Sequence, residues 1–368
     1  MPVELTGRPF YIFSMCTSKH VLLFLALLCI GCMGGPTPRS EAWFETHLID
    51  GTPAFGRVIA AAEPVDLLSL TPAMQRFVAE DIGRARDPYR RVEQLLKKME
   101  AYGYFDNPYL QSGTYSAAET FEARRGNCVA YTNLFIALAR EAGLKASYQL
   151  AHVPPSWNVQ SGYLLRNNHI NVSLKGVRTP WESGDDITVD FNVVEIDERL
   201  PHEVITDDYA ASMFYANIGV EHLQQGNLEK AFAYLKLAIL TEASNVDLWN
   251  NLGTLYSILN KDQLAEEAYL VALELSDDDK TALAGLAKVI KKQGRFEEAA
   301  RYERLIAQYR DNNPFYHFAV AEQLFKNHAL QPALESIDRA IALKRNTPRF
   351  HTLREAITLA MSKAQRIS

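Results

Sequence analysis

The spacing of hydrophobic positions changes twice along the chain and divides it into regions. Apolar residues first recur every three or four positions and then alternate with polar residues, before the helical period returns near residue 212. Helices are predicted over 88–102, 117–124 and 128–143. Strands are predicted over 146–151, 169–174 and 187–193. The pattern therefore predicts an α+β region followed by an all-α region.

The third predicted helix opens on Cys128. Ser116 and Glu119 form a capping box for the helix before it, and Gly126-Asn127 then breaks the chain and caps the next helix. The first-turn amides of a helix stabilise a thiolate and could donate to an oxyanion. This position favours a nucleophile. The alternative is a small buried hydrophobe, which a free cysteine often is.

The N-terminal residues 1–32 are typical of a secretory signal. An apolar run from Val21 to Ile30 is too short to cross a bilayer of about 30 Å as a helix, and it fits the central part of a signal peptide. The run ends in Cys29-Ile30-Gly31-Cys32, which resembles the lipobox of bacterial lipoproteins, with Cys29 where leucine is usual. We expect a lipid on Cys32 and an outer-membrane anchor facing the periplasm. A plain cleaved signal or an uncleaved short anchor is the alternative, and a start at Met15 would give a compact signal.

Cysteine usage supports a role for Cys128. The chain has four cysteines, of which Cys16 and Cys29 lie in the expected signal and Cys32 would carry the lipid. Cys128 is then alone in the mature chain, without a disulfide partner. A lone thiol in an oxidising compartment is a liability unless it is buried or used.

Composition bounds the number of domains and the classes of partner. The 368 residues, with 48% hydrophobic residues, suggest about two domains with ample core. The net charge of −6, without a basic run or stripe, argues against nucleic acid or an anionic membrane surface as a partner. No cofactor is expected, and Asp185, Asp186 and Asp207-Asp208 are too scattered for a calcium loop. The predicted segments are a signal (1–32), a proline-rich tether and entry segment (33–86), a catalytic domain (87–206), repeats (212–345) and a capping helix (348–364).

Two polar side chains on the predicted strands complete a candidate site. His169 begins one alternating run, and Asp190 lies on the polar face of the next. If the two strands pair antiparallel about a turn near Thr179-Pro180, His169 comes opposite or diagonal to Asp190, within hydrogen-bond reach. A carboxylate that orients an imidazole facing a thiol is the arrangement of acyl-transfer enzymes. His152 and either Asp185 or Asp186 are the alternatives.

The segment around Cys128 resembles a known superfamily. Arg124-Arg125-Gly126-Asn127-Cys128, followed by Ala137-Leu138-Ala139-Arg140 and Ala142-Gly143-Leu144-Lys145-Ala146, is similar to the core signature of the transglutaminase-like superfamily. The resemblance covers roughly residues 87–200 and implies a papain-like α+β fold with Cys128, His169 and Asp190 as a triad. Asn171 stands where many members have an aromatic residue, which affects the expected groove shape. Members include cross-linking transglutaminases, cysteine proteases and amidases, and inactive proteins.

The second half of the chain repeats every 34 residues. Trp249, Leu252, Gly253 and Tyr256, with small residues at Ala265 and Ala272, match the pattern of a tetratricopeptide repeat. Equivalent positions one step back are Tyr215, Ile218, Gly219, Ala231 and Ala238. Equivalent positions one and two steps forward are Leu283, Leu286, Ala287, Gly294, Ala299, Val320, Ala321, Ala333 and Ala340. Four repeats and a capping helix are therefore predicted, as an all-α solenoid whose concave surface binds a protein or peptide.

These features predict a lipid-anchored, thiol-dependent amide hydrolase or acyltransferase acting on protein or peptide. For a bacterial-looking lipoprotein, a cysteine protease or amidase is favoured over a protein-glutamine acyltransferase. The repeats would recruit substrate or partner, or serve as a spacer or support for the catalytic domain. Polar residues expected near the inner helices, Asn217, His222, Asn250, Asn251 and Asn260, could hold a peptide backbone. The alternative function is a catalytically silent periplasmic scaffold that binds partners through its repeats.

Overall fold

The computed structural model describes residues 3–5, 8–10, 12–14, 48–80, 82, 85–106, 113–151, 156–158, 163–165, 169–178, 186–191 and 201–367. The chain divides into two units. The first comprises Met1–His152 and His169–Ala243, and the second comprises Val153–Asn168 and Ser244–Ser368. The first pair of repeat helices thus belongs to the same unit as the region around Cys128.

The described strands are β1 (Val3–Leu5), β2 (Arg8–Phe10), β3 (Ile12–Ser14), β4 (Lys145–Ala151), β5 (Ser156–Asn158), β6 (Tyr163–Leu165), β7 (His169–Lys175), β8 (Asp186–Val189) and β9 (His202–Val204). Five of them form an antiparallel sheet in the order β3-β8-β7-β4-β9, while β1 pairs with β2 and β5 with β6. The strands predicted near 146–151 and 169–174 are therefore present. The third predicted strand is shorter than expected, because β8 ends at Val189 and Asp190 follows it.

The described helices of the first unit are α1 (Thr52–Phe55), α2 (Pro72–Ala79), α3 (Pro88–Ala101), α4 (Ala117–Ala123), α5 (Cys128–Glu141), α6 (Asp207–Gln224) and α7 (Leu228–Thr241). The pattern of hydrophobic residues indicated α3, α4 and α5 but not α1 or α2, which lie in the predicted entry segment. A local signal for α2 was present, because the Thr71 hydroxyl accepts from the Met74 N–H and Pro72 is the first helical residue.

Helix α5 lies at the centre of the first unit. It packs on β4 and β7 and also contacts α2, α3 and α4, so residues from Val129 to Ala139 are all buried. The helix is therefore not amphipathic, because neighbouring elements cover it on all sides. The partly exposed positions are at its two ends, where Cys128 begins the helix and Arg140 and Glu141 finish it.

The polar face of the sheet is also buried. His169, Asn171, Ser173 and Thr188 each keep less than a tenth of their surface exposed. Thr188 donates its hydroxyl to Gln149 Oε1 at 3.1 Å, which satisfies one of these buried groups. Alternation along the strands thus separates two buried faces of different polarity.

The second unit contains α8 (Val246–Ile258), α9 (Asp262–Leu275), α10 (Lys280–Lys292), α11 (Phe296–Asp311), α12 (Pro314–Lys326), α13 (Leu330–Leu343) and α14 (Pro348–Ile367). With α6 and α7, these helices make four antiparallel pairs at the spacing predicted from the 34-residue period, followed by a single helix. Small residues lie where the helices cross closely, and Ala265, Ala272, Ala333 and Ala340 are fully buried. The final helix packs Phe350 and Ile357 into the apolar cluster of the last pair.

Three short strands, β1 to β3, lie within residues 1–32, the predicted signal. The apolar run 21–30, Cys32 and residues 33–47 of the predicted tether and entry segment lie outside the described residues. Within the described ranges, no helix is both long enough and apolar enough to cross a membrane.

Candidate active site

Cys128 occupies the first position of α5, as predicted. Asn127 is extended and its side-chain Oδ1 accepts from the Ala130 N–H at 3.0 Å, which makes it the N-cap. The preceding helix has the predicted capping box, with Ser116 and Glu119 each bonding the other's backbone N–H. The thiol is partly exposed and lies at the positive end of the helix. This combination suits a nucleophile, because a buried thiol would be out of reach of a substrate.

Glycine is required just before the cap. A Cβ at Gly126 would lie 2.5 Å from the Ala130 Cβ and 3.3 Å from the Gly113 carbonyl oxygen. The Asn127 N–H donates to that same carbonyl at 3.2 Å, and its side-chain Nδ2 donates to Thr114 Oγ1 at 2.8 Å. The segment Gly113-Thr114, which is not part of the helix, therefore fixes the position of the N-cap of α5 through these two hydrogen bonds.

His169 and Asp190 meet at one edge of the sheet. His169 is the first residue of β7 and Asp190 follows the last residue of β8, and because the two strands are antiparallel these ends lie together. His169 Nε2 lies 2.7 Å from Asp190 Oδ1 and 2.8 Å from Oδ2. The strands pair Val172 with Val189, so His169 is diagonal to Asp190, one of the two predicted arrangements.

The imidazole also interacts with the thiol of Cys128, which contributes to the raised pKa of His169. Since Asp190 occupies Nε2, the other ring nitrogen, Nδ1, is left to exchange a proton with the thiol. The side chains of His169 and Asp190 are only 7% and 12% exposed, so water weakens their attraction little. The structure thus brings the three residues singled out in the sequence together at one end of the two strands, next to the start of α5.

This environment favours the charged form of the imidazole. Burial alone lowers the pKa of His169, but hydrogen bonds and charge attraction from Asp190 and Cys128 outweigh burial and raise that pKa to about 9. At neutral pH the ring therefore carries a proton. A protonated imidazole beside Cys128 stabilises the thiolate and can later donate its proton.

The alternative site residues are placed differently. Asp186 lies at the far end of β8 and accepts a hydrogen bond from the Gly176 N–H at 3.0 Å, so it stabilises the turn after β7. His152 and Asp185 lie outside the described residues. Within the described ranges, no three His, Cys, Asp or Glu side chains are grouped so as to hold a metal ion.

Asn171 is a neighbour of the site. The sequence had suggested only that this residue affects the shape of the groove. Its side chain is 1% exposed, and its Nδ2 donates to Asp190 Oδ2 at 3.4 Å. The signal available in the sequence was its position two residues after His169 on the same face of the strand. Asn171 therefore contacts the carboxylate that orients the imidazole.

The polar residues of the repeats do not all face a ligand. Asn250 was expected to be available to a peptide, but it is buried and donates to Asp279 Oδ1 at 2.9 Å. Asp279 in turn caps α10 through the Ala282 N–H. The expectation for Asn250 was wrong, because this side chain joins two neighbouring helices.

Protein-family models match a segment in each of the two predicted regions of the chain. The model of the transglutaminase-like superfamily matches residues 76–176, and the tetratricopeptide-repeat model matches residues 214–245 and 246–279. The chain carries a transglutaminase-like domain followed by tetratricopeptide repeats. The match to the transglutaminase-like model includes Cys128 and His169 and ends before Asp190. The predicted fold class, α+β followed by a helical solenoid, is confirmed.

A curated relative is the type IV pilus assembly protein PilF of Pseudomonas aeruginosa, which is 27% identical over 140 residues. The match covers 36% of this chain and only 54% of that protein, about half its length.

Similar solved structures include two bacterial proteins. One, described as a functional characterisation of pilF from Pseudomonas aeruginosa, is 21% identical, with a TM-score of 0.28, over 43% of this chain and 72% of that one. The other, MamA from Desulfovibrio magneticus RS-1, is 16% identical, with a TM-score of 0.27, over 44% of this chain and 90% of that one.

Proposed function

We propose that the transglutaminase-like domain is a thiol-dependent enzyme that attacks amide bonds of a protein or peptide. Cys128 is the nucleophile, His169 the general acid and base, and Asp190 the group that orients and charges the imidazole. The observation that carries this proposal is the 2.7 Å contact of His169 Nε2 with Asp190, made by an imidazole that also interacts with the Cys128 thiol at the start of α5. Such an arrangement is needed for acyl transfer and has little use in a purely structural domain.

The first half of the reaction forms a thioester. The thiolate attacks the carbonyl carbon, a C–S bond forms, and the carbonyl electron pair moves to oxygen. We assign the N–H groups of Cys128 and Val129 to this oxyanion, because the Ala130 N–H is already used by the Asn127 cap. When the C–N bond breaks, protonated His169 gives its proton to the leaving amine.

The second half releases the acyl group. Neutral His169 takes a proton from water or from an incoming amine, which attacks the thioester carbonyl, and the sulfur leaves as thiolate. Water yields a carboxylic acid and an amine yields a new amide. We favour hydrolysis, by a cysteine protease or amidase, over transfer to an amine.

The repeats would deliver the substrate or a partner protein. Tetratricopeptide repeats mediate protein interactions through their concave surface. The similarity to a pilus assembly protein favours a second candidate function, a scaffold that binds envelope proteins and performs no reaction. The two functions differ in whether Cys128 is activated.

We also propose that the protein is anchored by a lipid on Cys32 and faces the periplasm from the outer membrane. The support is the apolar run 21–30 followed by a lipobox-like sequence. Metabolic labelling with a radioactive fatty acid should mark the wild-type protein and not Cys32→Ser. Equal labelling of both proteins would contradict the proposal.

The enzyme proposal is tested by the pH dependence of Cys128 alkylation. The full chain is treated with iodoacetamide between pH 5 and 10 and digested with trypsin, and peptide 126–140, which contains Cys128 as its single cysteine, is quantified. We expect alkylation of wild type to stay rapid below about pH 7 and to be much slower in His169→Ala at the same pH. Ordinary behaviour in both proteins would favour the scaffold.

A fluorescent primary amine separates the two enzymatic outcomes. Incorporation of the amine into a glutamine-containing peptide by wild type, and not by Cys128→Ser, would indicate transfer. Cleavage or deamidation of the peptide without incorporation would indicate hydrolysis.

A further inference from the structure

The first repeat pair, α6 and α7, is joined to the transglutaminase-like region by polar contacts within the first unit. Arg140, near the end of α5, makes a two-pronged ion pair with Asp207 at 2.7 and 2.8 Å. The Tyr215 hydroxyl bonds both the N–H and the carbonyl oxygen of Val65. On α7, Glu229 pairs with Arg57 at 2.6 Å. These contacts hold α6 and α7 against the unit that contains Cys128.

One further contact leads to the cysteine itself. Glu221, near the end of α6, presents a single carboxylate oxygen, Oε1, to the segment before the Cys128 helix. This oxygen accepts from the Gly113 N–H at 3.1 Å and from the Thr114 hydroxyl at 2.9 Å. Glu221 is half-buried, and Thr114 is buried. A repeat residue 107 positions away along the chain from Thr114 therefore holds the segment that supports Asn127.

A chain of hydrogen bonds leads from the first turn of α5 to the carboxylate of Glu221, and every bond in it has its donor on the side of the helix. The Ala130 N–H donates to Asn127 Oδ1, and Asn127 Nδ2 donates to Thr114 Oγ1 at 2.8 Å. The Thr114 hydroxyl then donates to Glu221 Oε1. Hydrogen bonds aligned in this way polarise and strengthen one another, and the last acceptor is ionised, which makes that bond shorter and stronger than a neutral one.

We propose that Glu221 is a positioning residue for Cys128, acting through Thr114 and the Asn127 cap. This inference rests on the proposed function and extends its site into the first tetratricopeptide repeat. The thiol must lie within hydrogen-bond distance of the imidazole and at a correctly formed helix start. Both conditions depend on the side chain of Asn127. Its Oδ1 accepts from the first turn of α5, and its Nδ2 donates to Thr114. Loss of the outer support allows Asn127 and the first turn to shift.

The experiment compares four single variants and one double variant of the full chain by the Cys128 alkylation profile described above. Glu221→Ala removes the acceptor, Glu221→Gln keeps an oxygen that can accept both bonds, and Thr114→Val removes the next hydroxyl with little change in shape. Glu229→Ala is the matched control, because it removes another contact of the same repeat pair that lies outside this chain of bonds. Thermal melting followed by circular dichroism reports whether each variant is folded.

Glu221→Ala and Thr114→Val should each slow alkylation at pH 6.5 by about tenfold and move the profile towards that of an ordinary thiol, since small displacements of reacting groups have large effects on rate. Glu221→Gln should stay within about twofold of wild type, and so should Glu229→Ala. The double variant of Glu221→Ala and Thr114→Val should be no slower than either single variant, because both cut the same chain of bonds.

A folded Glu221→Ala with the wild-type profile would overturn the inference and leave the proposed function intact. An equal loss in Glu229→Ala would also overturn it, because general loosening of the repeat pair would then explain the effect. If Glu221→Ala does not fold, Thr114→Val decides by the same criterion. A wild-type profile indistinguishable from that of His169→Ala would overturn both the function and the inference.

Discussion

Asn171 Nδ2 lies 3.4 Å from Asp190 Oδ2, across the pair of strands β7 and β8. One position further along, the register pairs Val172 with Val189. Asp190 thus contacts both the imidazole of His169 and the amide of Asn171. The carboxylate is oriented by two neighbours on one strand, but its contact with His169 is much shorter than its contact with Asn171.

The two contacts of Asp190, with His169 and with Asn171, should contribute unequally to the reactivity of Cys128. In Asp190→Asn the imidazole loses the charge that offsets its burial, so its pKa falls and the thiolate is no longer stabilised. We expect about tenfold slower alkylation of Cys128 at pH 6.5, because the neighbouring imidazolium charge is lost. Asn171→Ala should cost about threefold or less, because a 3.4 Å hydrogen bond is weak. Equal losses in the two variants would contradict this ranking.

His169 should make stability depend on pH. Its pKa is raised to about 9 in the folded protein, against about 6.5 in the unfolded chain, so folding favours the protonated ring. The stabilisation is complete below about pH 6.5 and is lost as pH rises through about 9. It amounts to about 3 kcal/mol by linkage at most.

Urea unfolding at pH 6, 7.5 and 9.5 measures this effect. The difference in unfolding free energy between wild type and His169→Gln should shrink as pH rises through this window. A constant difference across the three pH values would show that the imidazole gains no proton affinity on folding.

The middle of α5 should depend on one buried hydroxyl. Tyr148 on β4 donates to Asn133 Oδ1 at 2.7 Å, and both side chains are buried. Tyr148→Phe leaves that oxygen without its donor, which should lower the free energy of unfolding by about 1–3 kcal/mol. Denaturant titration measures the loss, and the double variant with Asn133→Ala should lose less than the sum of the two single changes.

Close packing of a tyrosine should make two repeat glycines intolerant of a methyl group. A Cβ at Gly253 would lie 2.7 Å from a ring carbon of Tyr269, and a Cβ at Gly285 would overlap the same ring. Tyr269 is buried and its hydroxyl bonds Thr254 Oγ1 at 3.1 Å, so the ring has little room to move.

Gly253→Ala should therefore destabilise the second unit by about 1–3 kcal/mol despite the better helix propensity of alanine. Gln263→Ala, at an exposed position of the next helix, is the control and should leave the melting temperature nearly unchanged. A melting temperature for Gly253→Ala equal to that of the control would show that the Tyr269 ring moves aside to accommodate the methyl group.

Local interactions made the start of α5 predictable from the sequence. The Asn127 cap and the Ser116 capping box join residues three positions apart, so the residues that form them are visible in a short stretch. The strand register was predictable for a related reason. Alternation places His169 and Asp190 on defined faces, and the strand spacing about a single turn then brings them together. The 34-residue period indicated the helix pairs, because each pair repeats the same local packing.

Other features could be known only after the segments had packed. The burial of α5 on all sides, and of the polar face of β7, depends on which other elements pack against them. The periodicity of hydrophobic residues within a single helix or strand does not indicate this. The role of Asp186 in the turn after β7, rather than in the site, follows from the direction of β8.

The sequence by itself determined the main elements around the site: a cysteine at a helix start, a histidine and an aspartate at the ends of neighbouring strands, and a repeating array of helix pairs. These depend on backbone hydrogen bonding and on periods of a few residues, which local sequence controls. The tertiary structure alone decided the proton state of His169 and the contact of Glu221 with the segment supporting Cys128. Both result from burial and from charges brought close by folding, between residues 21 to more than 100 positions apart in the chain.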